Sequence, residues 1–270
     1  MARPACPTLA ALVGLNPALY FICVPDAAVA DVGAELAAYL ADGPTQAGQA
    51  GAGPRPVVAH TSGATSVTAL SPCEKAGAAA LVFHPLQTFA NPLTGASRFA
   101  GAGVALTPGP VHPDEAGTTG LRMAEILGMR AFFLADDKRT LYHAAASVAC
   151  NYLVTLEYLA NKLFVEAGVP ERVTLSLFLP LVQGTLDNLA TQGPVAALTG
   201  PLSRGDTATV AAHLEALATQ APEALPVYKA LGEATLELVT ARGEVDPRVV
   251  ARMRELLTGP NAAAAPTVGL

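Results

Sequence analysis

The 270-residue sequence contains no Trp, and aromatic residues make up only 5% of it. Charge is also sparse: 14% of residues are charged, 16 of them Lys or Arg and 22 Asp or Glu, for a formal net charge of −6. The basic residues are scattered, so nothing supplies the clustered cations that nucleic-acid phosphates or anionic membrane surfaces require. Neither nucleic acid nor a membrane is an expected partner. The four cysteines, Cys6, Cys23, Cys73 and Cys150, form no CxxC pair. A zinc site, a redox motif or a disulfide scaffold would need closer pairs, so buried free thiols in a reducing cytoplasm are expected. The start of the chain lacks the basic-then-apolar layout of a secretory leader. No GxSxG elbow or HExxH pair occurs, which leaves a serine hydrolase and a zincin without support. A glycine fingerprint for a dinucleotide is missing as well. Gly51 with Gly53, and Gly101 with Gly103, give short GxG runs without a third glycine or the strand-to-helix context.

What the chain does have is apolar mass. Hydrophobic residues make up 51% of it, enough to bury a core and too many for a disordered chain. Much of that count is Ala, which suits close helix packing. The front half shows short apolar runs at Ala18–Val24, Pro56–His60, Ala78–Phe83, Gly101–Leu106 and Met129–Leu134, read as strands. Helical periodicity covers Ala27–Leu40, with Asp26 placed to cap it, and Gly117–Leu127. A Gly- and Pro-rich loop is expected over Gly43–Pro56. Strands alternating with helices predict βαβ units and a largely parallel sheet, whose carboxyl ends are the usual place for a ligand.

From Lys138 the period becomes helical. One long helix is expected over Arg139–Ala167, then a stretch over Pro170–Asn188 interrupted near Pro180. Asp206–Ala218 with Asp206 as cap, Ala224–Arg242 and Pro247–Leu257 follow. The polar residues His143, Asn151, Glu157, Asn161 and Lys162 argue against a membrane span over Leu141–Val165. The expected organisation is an α/β domain over 1–137, an all-helical domain over 138–260 and a flexible tail over 261–270.

Three segments carry candidate chemistry. His60-Thr61-Ser62-Gly63 follows the second strand, where small and hydroxyl residues let backbone approach a ligand; an ordinary turn capped by Ser62 explains the same residues. His84-Pro85-Leu86-Gln87-Thr88-Phe89 ends the third strand, and a His there can exchange a proton near neutrality or be a satisfied half-buried ring. Tyr142-His143 and Asn151 lie on the long helix. On one continuous helix His143 and Asn151 project about 80° apart, with Ser147 between them. A polar stripe on an apolar helix must face water, a partner or a site. Asp136-Asp137 reads as a solvated turn, and a metal held by the distant His60, His84 and His143 has no spacing to support it.

HTSGA at His60–Ala64, HPLQTF at His84–Phe89, YHAAASVACNYLV at Tyr142–Val154 and TGPLSRGD at Thr199–Asp206 occur in this order. Together they resemble a Rossmann-like family with a helical domain known as domain of unknown function 2520 (DUF2520). That group is similar to pyrroline-5-carboxylate reductase and to the 6-phosphogluconate dehydrogenase superfamily. The resemblance spans about Ala18–Leu257. It implies a partial, mostly parallel Rossmann-type sheet followed by a helical domain like that of 6-phosphogluconate dehydrogenase. It also implies NADP or NAD as cofactor, a small carbonyl, imine or hydroxy acid as substrate, and a homodimer through the helical domain.

By the same resemblance Val24, Pro25 and Asp26 of the FICVPD run lie beside the cofactor, and Thr61, Ser62 and Gly63 lie near its nicotinamide. His84, His143, Ser62 and Asn151 are then the catalytic candidates, Gln87 and Thr88 the substrate-binding ones, with no metal. The first strand corresponds to the family's fourth, so a front unit carrying GxGxxG is expected to be missing and cofactor binding to be impaired. A non-catalytic ligand-binding or dimeric scaffold protein is the alternative, and a hydrolase or metal enzyme using the histidines a weaker third.

Overall fold

The computed structural model describes residues 8–41, 55–91 and 93–259. The expected tail over 261–270, Cys6 and residues 43–54 of the expected loop lie outside the described residues. Five strands form one sheet in chain order: β1 (Leu19–Ile22), β2 (Val57–His60), β3 (Ala79–Leu86), β4 (Gly103–Pro108) and β5 (Arg130–Phe133). β1, β2 and β3 run parallel, as do β4 and β5, so the sheet is mostly parallel as expected. The β3–β4 pair is antiparallel. A parallel crossover needs a helix to carry the chain back. The described part of the β3–β4 connection supplies only a 3-10 turn at Gly95–Arg98, so the chain reverses.

Alternation along the strands splits the core between two faces. Tyr20, Ile22, Val58, Ala80 and Val82 pack on one face with α2 (Val29–Ala41) and α3 (Ser71–Lys75). Val57, Ala59, Leu81, Phe83, Val104 and Leu106 face the other way, against α4 (Pro113–Ile126). Register places Ile22, His60, Val82 and Thr107 in one row across the sheet. β1 and β2 stop at that row. β3 runs four residues further, to Leu86, with β4 alone beside it. That overshoot carries His84.

The second half is helical: α5 (Arg139–Ala149), α6 (Asn151–Glu166), α7 (Glu171–Ala197), α8 (Thr207–Gln220), α9 (Leu225–Arg242) and α10 (Pro247–Thr258) follow a short first helix α1 (Leu9–Gly14) and those above. The expected continuous helix over 139–167 is broken at Cys150, whose backbone (φ −117°, ψ −62°) ends α5 before Asn151 opens α6. The expected interruption at Pro180 does not occur. α7 runs through it and breaks instead at Gly193 (φ 76°), just before Pro194, where a positive φ, open to Gly, diverts the backbone itself. Asp206 caps α8 as expected, its Oδ1 accepting from Thr209 N at 3.0 Å. Asp26 does not cap α2. The 3-10 turn Asp26–Ala28 starts on Pro25, and the Asp26 carboxylate makes no capping bond there.

The chain divides into two compact units, Met1–Leu153 and Val154–Leu270. In the second, Val210, Leu236, Met253 and Leu257 form a small buried cluster from α8, α9 and α10. α6 buries no residue, and Val154 (68% exposed), Tyr158 (67%), Leu177 (64%) and Leu181 (68%) on α6 and α7 lie open. Among the described residues no helix is long and apolar enough to cross a membrane. Among the described cysteines the expectation of buried thiols holds only for Cys73, which donates to Gly33 O (3.1 Å) and whose pKa is pushed up to about 11 by burial, with the Glu74 carboxylate adding to the shift. Cys23 and Cys150 are exposed, because one follows the last residue of β1 and the other sits at the helix break.

Candidate active-site groove

The site begins with the loop after β2. His60 is fully buried, and its Nδ1 accepts from Ser62 N at 3.2 Å. Its Nε2 is buried without a hydrogen-bond partner. Burial, with the Arg139 charge in second place, lowers the His60 pKa to about 4. The Ser62 hydroxyl is engaged inside the loop: it donates to Thr65 Oγ1 (2.8 Å) and accepts from Thr65 N (3.0 Å). The turn that Ser62 makes is therefore the ordinary one its sequence suggests, and Gly63 comes next, bare and buried.

Two imidazoles close over Gly63. A Cβ at this position would lie 2.3 Å from His143 Nδ1 and 2.8 Å from His84 Nε2. Those two nitrogens occupy the space any side chain would need, so only glycine fits without moving them. His84 comes from the overshoot of β3 and His143 from α5. Their rings meet edge to face with centroids 6.1 Å apart. His84 Nδ1 shares a hydrogen bond with Tyr142 Oη at 3.0 Å, and Tyr142 in turn packs edge-on against Phe132 of β5. His143 Nδ1 is buried and has no hydrogen-bond partner.

Burial first, then the positive charge of Arg139 and the neighbouring His143, lowers the His84 pKa to about 4. At neutral pH His84 is thus an uncharged ring that acts through hydrogen bonding. The Tyr142 hydroxyl is shifted up by burial and stays protonated as well.

His84 and His143 open into a groove of about 660 Å3 within the first unit. Gln87, Thr88, Ser147 and Asn151 line it together with Leu86 and Phe89. The structure therefore brings together His84, His143, Asn151, Gln87 and Thr88. The helix break at Cys150 separates His143 from Asn151, so their shared site does not come from one helical stripe. Ser62 and Gly63 lie beneath the imidazoles and outside the groove lining. Thr61 is half-buried, and Val24, Pro25 and Asp26, just after β1, do not line the groove.

Two contributors escaped the sequence reading. Arg139, 1% exposed, donates to Thr65 O (2.9 Å), Thr107 Oγ1 (3.1 Å), Gly63 O (2.9 Å) and Ser62 O. A cation opening a helix runs against the helix dipole, and that misfit was the available signal that something else holds it. Asp136 is not a solvated turn residue. Its carboxylate accepts from Val67 N (2.8 Å) and from the Ser66 hydroxyl, which ties the turn before α5 to the loop after β2.

A dinucleotide asks for a glycine-rich strand-to-helix turn whose amides face the pyrophosphate. Among the described residues the turn after β1 presents the exposed Asp26 carboxylate, and the space over Gly63 is taken by imidazole nitrogens. These residues do not supply a pyrophosphate cradle. Among the described residues no cluster of three or more His, Cys, Asp or Glu could hold a metal ion either.

The sequence matches the family model of a Rossmann-like domain over residues 4–85 and that of DUF2520, a domain of unknown function, over residues 112–235. Both parts of the resemblance carried by the ordered motifs are therefore found. Similar solved structures include a protein from Thermotoga maritima (21% identity, 89% of this chain and 78% of that one, TM-score 0.55). A candidate NADP oxidoreductase from Bacteroides fragilis is similar at 21% identity over 84% of this chain and 76% of that one, TM-score 0.57. A pyrroline-5-carboxylate reductase from Coxiella burnetii is similar at 15% identity over 93% and 80%, TM-score 0.54. These likenesses show the fold: a Rossmann-like sheet followed by a helical region. Comparison with curated proteins finds no match.

Proposed function

We propose that this protein is an NAD(P)-dependent oxidoreductase by lineage, acting on a small carbonyl, imine or hydroxy acid in the His84–His143 groove, with its own hold on the cofactor impaired. The observation that carries the reading is the convergence of His84 Nε2 and His143 Nδ1 over Gly63, beside the carboxyl ends of the parallel strands. When bound, a nicotinamide supplies or accepts the hydride in such a reaction. This chain's share is the proton and the orientation. His84, neutral and steadied by Tyr142, polarises the reacting oxygen or nitrogen by a hydrogen bond. His143, the second ring lining the groove, exchanges the proton, and Gln87, Thr88 and Asn151 orient the rest of the molecule. Ser62 contributes its backbone, since its hydroxyl is engaged with Thr65.

The expectation of a weak cofactor hold rests on the described residues, which supply no pyrophosphate cradle. Calorimetry with NADPH on the 270-residue chain tests it: feeble or no binding is expected, and tight binding overturns that part of the proposal. NADPH oxidation at high cofactor concentration against a panel of small aldehydes, ketones and imines tests the activity. His84→Ala is expected to lower turnover at least about tenfold; unchanged turnover removes His84 from the chemistry.

A second reading has its own support in the exposed apolar faces of α6 and α7. Patches of this kind mark protein–protein surfaces. They fit a homodimer through the helical unit, either of the enzyme or of a non-catalytic ligand-binding scaffold on the same fold. No turnover with any substrate, together with a stable dimer, would favour the scaffold. Among the described residues Cys23, Cys73 and Cys150 are free thiols, which suits the reducing cytoplasm in which we place the protein.

A further inference from the structure

We propose that Arg139 is the positioning residue of the groove: one buried cation grips the loop under Gly63 and so sets where His143 stands over it. The guanidinium binds two separate parts of the first unit directly. It takes the carbonyls of Ser62, Gly63 and Thr65 from the loop after β2. It donates to Thr107 Oγ1 of β4, and that hydroxyl donates in turn to Leu134 O just past β5 (2.8 Å). Arg139 also opens α5, the helix that presents Tyr142 and His143 three and four residues later, on the same side of the helix. Loop, sheet and helix are therefore pinned at one point below the two imidazoles.

The planar fork matters. Three carbonyls and a hydroxyl are arranged around one flat donor group, and a lysine would offer a point charge that cannot reach them all. Removing the donors would leave buried carbonyls without partners. None of the donors is aimed at the groove, and Arg139 does not line it, so it acts through His143 and His84 and not on a ligand.

The same cation has an electrostatic effect on His84. After burial, its charge is the largest influence holding that ring neutral; His143 and His60 act in the same sense, and Asp26 opposes them. Tyr142, the ring's hydrogen-bond partner, stays uncharged. One side chain thus both braces the loop under the two imidazoles and adds to the burial that keeps His84 neutral.

Histidine-ring NMR titration of Arg139→Gln and Arg139→Lys tests this without reference to turnover, after circular dichroism has shown that each variant is folded. In Arg139→Gln the His84 midpoint is expected to rise by about one pH unit. In Arg139→Lys the charge is kept and the fork lost, so the midpoint should stay low while amide exchange at Gly63–Thr65 speeds up about tenfold or more. A folded Arg139→Gln with an unmoved His84 midpoint, or unchanged amide protection in both variants, overturns the proposal.

If Arg139→Gln does not fold, the wild-type protein decides. The Arg139 Nε proton must exchange slowly with water and lie close to Thr65, and a fast-exchanging proton overturns the assignment. The proposal rests on the groove being the site only for its functional consequence. Failure of the NMR test with turnover still dependent on His84 would sink the role of Arg139 and leave the reductase reading intact.

Discussion

The two units of the chain bury their apolar residues in opposite ways. In the first, both faces of the sheet are closed: Val58, Leu81, Val82, Val104 and Leu106 are fully buried between α2 and α3 on one side and α4 on the other. In the second, the buried cluster is four residues from α8, α9 and α10, while α6 and the middle of α7 turn Leu, Val and Tyr side chains to solvent. A sheet with helices on both faces completes its core within one chain. The long helices α6 and α7 do not, and their apolar surface fits burial against a second molecule. Stability in the first unit should therefore be a property of the single chain, and in the second it should depend on protein concentration.

The largest expected effect tests the closed core. Leu106→Ala removes a fully buried side chain packed against α4, where Gly120 comes close to it, and should lower unfolding free energy by about 3 kcal/mol in urea titration at any protein concentration. A loss that varies with concentration would break the contrast between the units. Next comes Gly63→Ala. Its methyl group would displace His143 and His84, and a stability loss of about 2 kcal/mol is expected together with altered ring resonances of both histidines. Unshifted resonances would mean that the space over Gly63 is open in solution.

A third test uses pH. His60 and His84 are held near 4 in the folded chain and return to about 6.5 on unfolding. Between those values the unfolded chain binds more protons, so stability rises with pH through the window. It is level above about pH 6.5 and declines as pH falls toward 4. The fully buried His60 alone should account for a drop on the order of 2 kcal/mol between about pH 7 and pH 4.5, measured as the urea midpoint and compared with a His60→Gln variant. A flat profile would show that these rings are charged or solvated in the folded state. The smallest effect is expected from Leu181→Ser on α7, with under about 0.5 kcal/mol lost at low concentration. In sedimentation it should nevertheless weaken self-association, and unchanged association would remove this face from the interface.

The contrast also sorts what could be read in advance. β1, β2 and the start of β3 were visible because short apolar runs end at polar or proline signals: Pro25-Asp26, Thr61 and His84-Pro85. The reversal into β4 was not, since a strand's pattern carries no direction and the length and content of a connection decide it. In the helical half the breaks at Cys150 and Gly193 were missed. Cys150 carries no breaking signal, and Pro180 carries one that the helix absorbs.

Within the groove, His84, His143 and Asn151 stood out as polar residues among apolar ones, whereas Gln87 and Thr88 were assigned to the substrate by the family resemblance. Arg139 and Asp136 did not, because charged residues at a helix start look solvated until tertiary contacts show what surrounds them. Gly63 was legible as a turn residue. That two imidazoles stand on it came only from bringing a strand end and a distant helix together.

The strand order β1-β2-β3-β4-β5 repeats the order of the chain, and this bears on how the sheet is assembled. Among the described residues each strand from β2 on pairs with the one made just before it. Pairings close in sequence cost less loop entropy and form sooner than remote ones. During synthesis β2, β3, β4 and β5 can each be added in turn beside the strand before it. Arg139 then arrives last, just past β5, to lock a loop that has already been laid down after β2.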